Sequence, residues 1–306
     1  MSLPAASTLP DEVRAHCAAV AASATAVRID ESALTRIADG GWDVADPGLD
    51  ARSHLLDAEP EDVAMAMLIG DAVNFGSGWF PTLRKRVDHA TGRPLSGSIT
   101  IATALVEHYR AHGVWRPEQL RRTRTDVLAA VLGQRPDHEL MSLYAQAMRA
   151  LGSFLGDRTA LGFVAEAGGS AATLARSLAD GMALFADHGF YKRAQITAND
   201  LALAGVARFG DLDELTIFAD NLVPHVLRCE GVLVYDVALA EHVDAGRTLP
   251  LGRWEREIRG CAVHACEQLA PALGVPPRVL DTWLWNRGQD AAMKARPRHR
   301  CRNVFY

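Results

Sequence analysis

Alanine and leucine dominate this chain, and runs of alternating β-branched residues are scarce, so the spacing of apolar positions is that of helices almost throughout. A chain patterned in this way buries helix faces against one another rather than stacking sheets, and the expected fold class is all-α with at most short extended segments. With 306 residues, 49% of them apolar, it has ample material for a core. No repeat, low-complexity tract or linker divides it. Residues 1–306 therefore read as one compact multi-helix globular domain, compatible with two lobes around a central cleft.

Punctuation marks the helices. Acidic residues in the first turn suit the helix dipole at 10–26, and Pro60-Glu61-Asp62 opens a helix over 60–73. Further helices are expected at 31–39, 98–112, 117–132, 137–155, 171–187, 197–209, 224–230, 253–273 and from Pro276-Pro277 to Gly288. Only Gly231–Tyr235 and Arg302–Tyr306 look extended.

A net charge of -5 and a pI near 6.1 argue against a surface that wraps nucleic acid, which needs a basic excess. A small anionic ligand, needing two or three cations in one place, remains compatible. The five cysteines contain no CxxC pair and suggest neither a disulfide framework nor a zinc site. No basic N-terminal region leads into an apolar run, and nothing approaches the roughly 20 apolar residues of a membrane span. The expectation is a soluble cytoplasmic protein with reduced thiols, no membrane or nucleic-acid partner, no metal, no cofactor, and a monomeric state compatible with the sequence.

Three motifs follow in order through the C-terminal half: Tyr191-Lys192-Arg193-Ala194-Gln195, Phe218-Ala219-Asp220-Asn221 and Glu257-Ile258-Arg259-Gly260-Cys261. Each mixes charged or amide groups with apolar ones beyond what helix patterning needs, as the wall of a ligand pocket would. Asp220 stands ahead of the helix that Pro224 opens. It reads either as a helix cap or as a partly desolvated carboxylate beside Phe218, able to stabilise positive charge on a substrate.

Asp281 and Trp285, four apart, share a helix face with Asn286 beside them, offering a carboxylate and an indole to a flat base; a core Trp and a helical acid is the plain alternative. Lys192 and Arg193 suit a phosphate or sugar hydroxyls, but neighbouring helical residues diverge by about 100°, so one of the two faces a pocket. Surface or ion-paired cations are the alternative, and Glu257 and Arg259 read first as ion partners. The glycines of Asn74-Phe75-Gly76-Ser77-Gly78-Trp79 would let the backbone approach a ligand or simply turn, and His54 could bond a ligand hydroxyl or serve structure. No P-loop, GxGxxG, HExxH or GxSxG signature is present.

At the three motifs, at Asp281 to Trp285 and at the tail Arg300 to Tyr306, the chain resembles the queuosine salvage proteins, the queuosine 5′-phosphate N-glycosylase/hydrolases. The likeness covers about the last 120 residues closely, and Asn74-Phe75 with Trp79 extends it weakly upstream. It implies an all-helical architecture like that of DNA glycosylases and release of the base queuine from queuosine 5′-monophosphate, a small-molecule substrate, without a cofactor. Carried across, Asp220 is the catalytic carboxylate, Phe218 a base or sugar contact, Asp281, Trp285 and Asn286 base-binding residues, His54 a further contact, and Lys192 or Arg193 the phosphate cation. Two departures stand out: a sparser early aromatic motif, and Asn286 where relatives can carry an acid. Repair-type DNA-base glycosylase and non-catalytic nucleoside binder are the competing readings.

Overall fold

The computed structural model describes residues 7–40, 42–88 and 91–306. Its helices are α1 (Leu9–Ser23), α2 (Glu31–Ala38), α3 (Pro60–Ala72), α4 (Gly97–His112), α5 (Pro117–Arg121), α6 (Thr125–Val131), α7 (Glu139–Leu155) and α8 (Ala160–Glu166). There follow α9 (Ala171–Gly181), α10 (Lys192–Leu203), α11 (Val223–Cys229), α12 (Val237–Asp244), α13 (Arg253–Ala272), α14 (Pro277–Arg287) and α15 (Ala291–Ala295). The one sheet among the described residues pairs β1 (Val27–Ile29) antiparallel with β2 (Leu233–Tyr235), Val27 opposite Tyr235. The fold is all-α, as the patterning requires.

Local chemistry sets the helix ends. Thr8 and Asp11 form a reciprocal capping box on α1, while Ser96, Ser170 and Asp236 cap α4, α9 and α12 with side-chain oxygens. Prolines open α3, α5 and α14. Two packings organise the core. Helix α13 lies against α1, β1, α2, α11 and α14, burying Ile258, Ala262, Ala265, Cys266 and Leu269. Helix α3, with every residue from Val63 to Ile69 buried, is surrounded by α7, α8 and α10. An α3 buried on all sides explains why its sequence shows so little amphipathic stripe.

Several boundaries differ from those the sequence suggests. Residues 117–132 form two helices, α5 and α6, which pack separately on α7; Gly152 of α7 admits the α5 backbone, since a Cβ there would stand 2.6 Å from the Pro117 carbonyl oxygen. The segment 171–187 stops as α9 at Gly181, where the Phe154 ring lies against the glycine. The helix placed at 197–209 begins earlier, at Lys192, because Tyr191 adopts a left-handed conformation (φ 49°) and Asp187 accepts the Phe190 and Tyr191 amides at its carbonyl; it ends before Gly205 rather than Gly210. Helices α8, α12 and α15 have no counterpart among the expected elements.

Arg302–Tyr306 is not a strand. Cys301 makes a single bridge to Leu249, and beyond it the Asn303 side chain accepts the amides of Phe305 and Tyr306, turning the chain inward. The five cysteines are free thiols. Among the described residues no helix is long and apolar enough to cross a membrane.

This C-terminal segment explains the glycines of the early aromatic loop. Gly76, at φ 113°, donates its amide to the Tyr306 carbonyl at 2.9 Å, and a Cβ on Gly78 would stand 2.6 Å from the Cys301 carbonyl oxygen. The close approach these glycines permit is to the chain's own tail rather than to a ligand. Because the obstructing atoms are backbone, Gly78→Ala is expected to destabilise the protein by about 1–3 kcal/mol; a denaturant melt of the variant with an unchanged midpoint would refute the close packing.

Candidate active site

The three C-terminal motifs meet at one guanidinium. Arg259 of α13, 1% exposed, donates from Nε to the Ala219 carbonyl at 2.8 Å, from Nη2 to Asp187 Oδ2 at 2.5 Å, and from Nη1 to Asp187 Oδ1 at 3.1 Å and Glu255 Oε1 at 3.2 Å. The Phe190 and Tyr306 rings cover it at 4.0 and 4.7 Å. Asp187 in turn holds the start of α10, so one cation ties the first motif to the second and third. Gln195 adds a second tie, accepting the Thr216 amide at 3.1 Å and donating to the Phe190 carbonyl at 2.9 Å. Glu257 closes a third connection by accepting the amides of Thr25, Ala26 and Val27 where β1 begins.

This corrects the expectation that all three motifs form a pocket wall. No residue of Glu257–Cys261 lines the cavity, and from the first motif only Lys192 does. The motifs are mainly the frame that carries the wall.

The cavity itself has a volume of about 1250 Å³. It is lined by the last turns of α3, by α4 and α10, by residues 218–222 and α14, and by residues 48–55 and the segment after α15. His54, Lys192, Phe218, Asp220, Asp281, Trp285 and Asn286 all line it. Arg193 does not.

Arg193 is 1% exposed and sandwiched between the Phe75 and Phe185 rings, 4.7 and 4.6 Å from its guanidinium carbon. It donates to the carbonyls of Ala72 at 2.6 Å, Val304 at 2.7 Å, Asp71 at 3.4 Å and Leu184, fastening α3 and the C-terminal tail to α10. Both terminal nitrogens are so engaged and Nε is buried, and the residue does not line the cavity, whereas Lys192, about 100° round the helix, does.

Asp220 meets both readings of its sequence position. Its Oδ1 accepts the amides of Leu222 at 2.6 Å and Val223 at 3.0 Å, capping the start of α11, and the partly exposed carboxylate forms part of the cavity wall. Asp281, 5% exposed, accepts the Phe218 amide at 2.8 Å, which couples α14 to the strand-like run carrying Asp220. Burial first, and the Asp220 charge second, push the Asp281 carboxyl up to about 8, so near neutral pH it is a carboxylic acid able to donate a hydrogen bond.

Two further carboxyls and an amide on this wall escaped the sequence reading: Asp71, Asp200 and Asn199, exposed by 4, 8 and 2%. Burial and then Asp200 raise the Asp71 carboxyl, and burial raises that of Asp200. Burial pulls the Lys192 ammonium down, opposed by Asp220 and Asp71. A signal was available: Lys192, Ile196, Asn199, Asp200 and Leu203 form one stripe along α10, and Asp71 is an acid in the last turn of a helix that is apolar from Val63 to Gly70, the unfavourable end for a negative charge.

The remaining predicted residues are placed as follows. His54 Nδ1 lies 3.0 Å from the Asp50 carbonyl, and the residue flanks the Asp71 side of the cavity. The Asn286 amide donates back to the Thr282 carbonyl at 2.8 Å. Phe75 lines the wall, while Trp79 turns away and donates its indole N–H to Glu139 at 2.7 Å. Among the described residues, no group of three or more His, Cys, Asp or Glu side chains is disposed to hold a metal ion.

An all-helical chain with a large carboxylate-lined cavity fits an enzyme acting on a small polar molecule. The profile of the family described as "Queuosine salvage protein" matches residues 54–306, and the chain belongs to that family. A relative from Sphaerobacter thermophilus named "Queuosine 5'-phosphate N-glycosylase/hydrolase" is 33% identical over 94% of this chain and 95% of its own. Relatives of the same name from Dictyostelium discoideum and Bos taurus are each 35% identical, over 38% of this chain and 40% of theirs.

The buried acids make stability depend on pH. Between the ordinary value of 3.8 and about 8 the folded protein keeps a proton on Asp281 that the unfolded chain releases, so stability falls as pH rises through that window. Asp281→Asn, whose amide oxygen can still accept the Phe218 amide, is expected to flatten the decline of the melting temperature between pH 6 and 9; an identical slope in both proteins would contradict a protonated Asp281.

Proposed function

We propose that this protein hydrolyses the N-glycosidic bond of queuosine 5′-monophosphate and releases queuine, with residues 1–306 acting as one catalytic domain. The observation that carries the reading is a pair of carboxyls in different settings in one cavity: Asp220, partly exposed and held by two backbone amides, and Asp281, buried and pushed up to about 8. Two carboxyls in one site can divide the work of glycoside cleavage between a charge stabiliser and a proton donor. The relatives' shared name agrees with it.

As the bond from the anomeric carbon to the base lengthens, its electron pair moves onto the base and positive charge spreads over the ribose ring. Asp220 faces that charge, and its two amide bonds fix the direction of the side chain without occupying Oδ2. Water adds to the anomeric carbon and loses a proton, leaving a sugar phosphate. Queuine, a 7-deazaguanine, has no N7 to take a proton as it departs. Asp281 supplies the hydrogen bond the base needs elsewhere on its edge, with Phe218 and Trp285 walling the ring. Asn286 and His54 contact polar groups of the base from the α14 and 48–55 sides. Lys192, surrounded electrostatically by Asp71, Asp220 and Asp281, keeps the acids' mutual repulsion in check.

Incubation with queuosine 5′-monophosphate is expected to release queuine, detected by chromatography and mass spectrometry, and Asp220→Asn to lower turnover by about 10²–10³-fold. Intact substrate after prolonged incubation with the wild type, alongside equal binding by both proteins, would favour a binding protein instead. Because the donor form of Asp281 is the protonated one, kcat/KM is expected to fall as pH rises through about 8, and Asp281→Asn to lack that limb.

A further inference from the structure

Residues 42–59, between α2 and α3, contain no helix or strand, and a stretch of that length without regular structure inside a packed domain is commonly a functional cover rather than a simple connection. Gly48 to Leu55 line the cavity. Within the stretch only Leu55 is buried, with Trp42, Val44 and Leu49 partly packed on the core. Asp71, Asp200 and Asp281, by contrast, ride on packed helices.

We propose that residues 46–57 are a lid on the cavity, closed in this structure by two ion pairs and opened by their rupture to pass substrate and product. The inference rests on the glycosylase reading only for what passes beneath the lid.

Three observations support it. The first is the fastening. Asp46 pairs with Arg278 of α14 at 3.3 Å and Asp57 with Arg110 of α4 at 3.2 Å, and Arg110 also donates to the Ala51 carbonyl at 3.2 Å. Both pairs are partly exposed, and pairs of that kind are weak, screened by salt and quick to break.

The second is the build of the moving part. The Asp50 carbonyl accepts the Ser53 and His54 amides at 3.0 Å each and lies 3.0 Å from His54 Nδ1. The Asp50 carboxylate accepts the Arg52 amide at 2.9 Å and its guanidinium at 2.7 Å. The tip therefore carries its own bonds and can swing as a unit, taking His54 to the ligand or away from it. Behind it Pro47 and Gly48, the latter left-handed at φ 66°, make the bend.

The third is coupling. Arg278 stands one turn before Asp281 on α14, and Trp42 lies against Trp283 of the same helix, with 5.0 Å between ring centroids. Closure thus fastens onto the helix that bears Asp281 and Trp285. A ligand that touches both that helix and the tip favours the closed form by the contacts it adds there.

Asp46 and Asp57 do not line the cavity, so replacing them reaches a ligand only through the lid. In the double variant Asp46→Asn/Asp57→Asn the side-chain oxygen of residue 46 can still accept the Gly48 amide, which keeps the bend. Hydrogen exchange of peptides from 46–57 is expected to be about 3- to 10-fold faster in the ligand-free variant than in wild type, with α3, α10 and α14 unchanged. Association and dissociation of queuine, followed by stopped-flow tryptophan fluorescence, are both expected to quicken about 3- to 10-fold while Kd moves much less, because the pairs break on opening whether or not ligand is present. Added salt should quicken wild type more than the variant. Exchange and rates equal to those of wild type would overturn the lid, as would faster dissociation with unchanged association, the mark of a lost contact rather than a freed gate. If the double variant is unstable, the single variants decide by the same readouts. Neither readout needs turnover: a wild type that binds queuine but leaves queuosine 5′-monophosphate intact would sink the glycosylase reading and leave the lid to these rates. If queuine does not bind, the exchange comparison in the ligand-free proteins decides.

Discussion

The Arg259–Asp187 pair is the interaction on which the site depends. Both side chains are almost fully buried, and each is satisfied in more than one direction: Arg259 also binds the Ala219 carbonyl and Glu255, and two aromatic rings cover it. Removing either partner would leave an unpaired charge in the interior, a loss on the order of 3–5 kcal/mol. Because Ala219 immediately precedes Asp220 and Asp187 sits at the start of α10, the pair sets the separation between the carboxylate and Lys192. Glu257 and Gln195 extend the same frame to β1 and to Thr216.

A rigid frame allows an unfavourable wall. Asp71, Asp200 and Asp281 are kept out of water on one face of the cavity, where neither full ionisation nor relaxation is easy, and Lys192 gives up some of its proton affinity among them. Such a set would drift apart on mobile loops. Here Lys192, Asn199 and Asp200 ride on α10, Asp281 on α14 and Asp71 on α3, all of them packed helices. The second buried arginine, Arg193, ties α3 and the C-terminal tail to α10 and so keeps Asp71 near Lys192 and Asp200.

The site was legible where local pattern and chemistry coincide. Asp220, Phe218, Asp281 and Trp285 stand out in the sequence because acids and aromatics interrupt apolar runs, and all four meet in the cavity. Glu257 and Arg259 stood out equally and serve the frame, since a buried charge looks the same in a sequence whether its partner is a ligand or another side chain. Lys192 and Arg193 could be separated only as far as helix geometry goes: one of two neighbours faces a pocket. Which one depended on where α10 starts, and that start is set by Asp187 and the left-handed Tyr191. Asp71 and Asp200 went unnoticed because each is an isolated acid, the one at the far end of α3 from Glu61 and Asp62 and the other alone in α10.

By itself the sequence determined the helical class, most helix positions and the kinship of the three C-terminal motifs, because these rest on spacing and capping within a few residues of each other. Tertiary structure alone decided which charges face the cavity. Arg193 turned inward to backbone carbonyls, and the Gly76–Gly78 loop closed on the C-terminal tail rather than on a ligand. Charge acts through space and desolvation through packing, and neither is a property of neighbours along the chain.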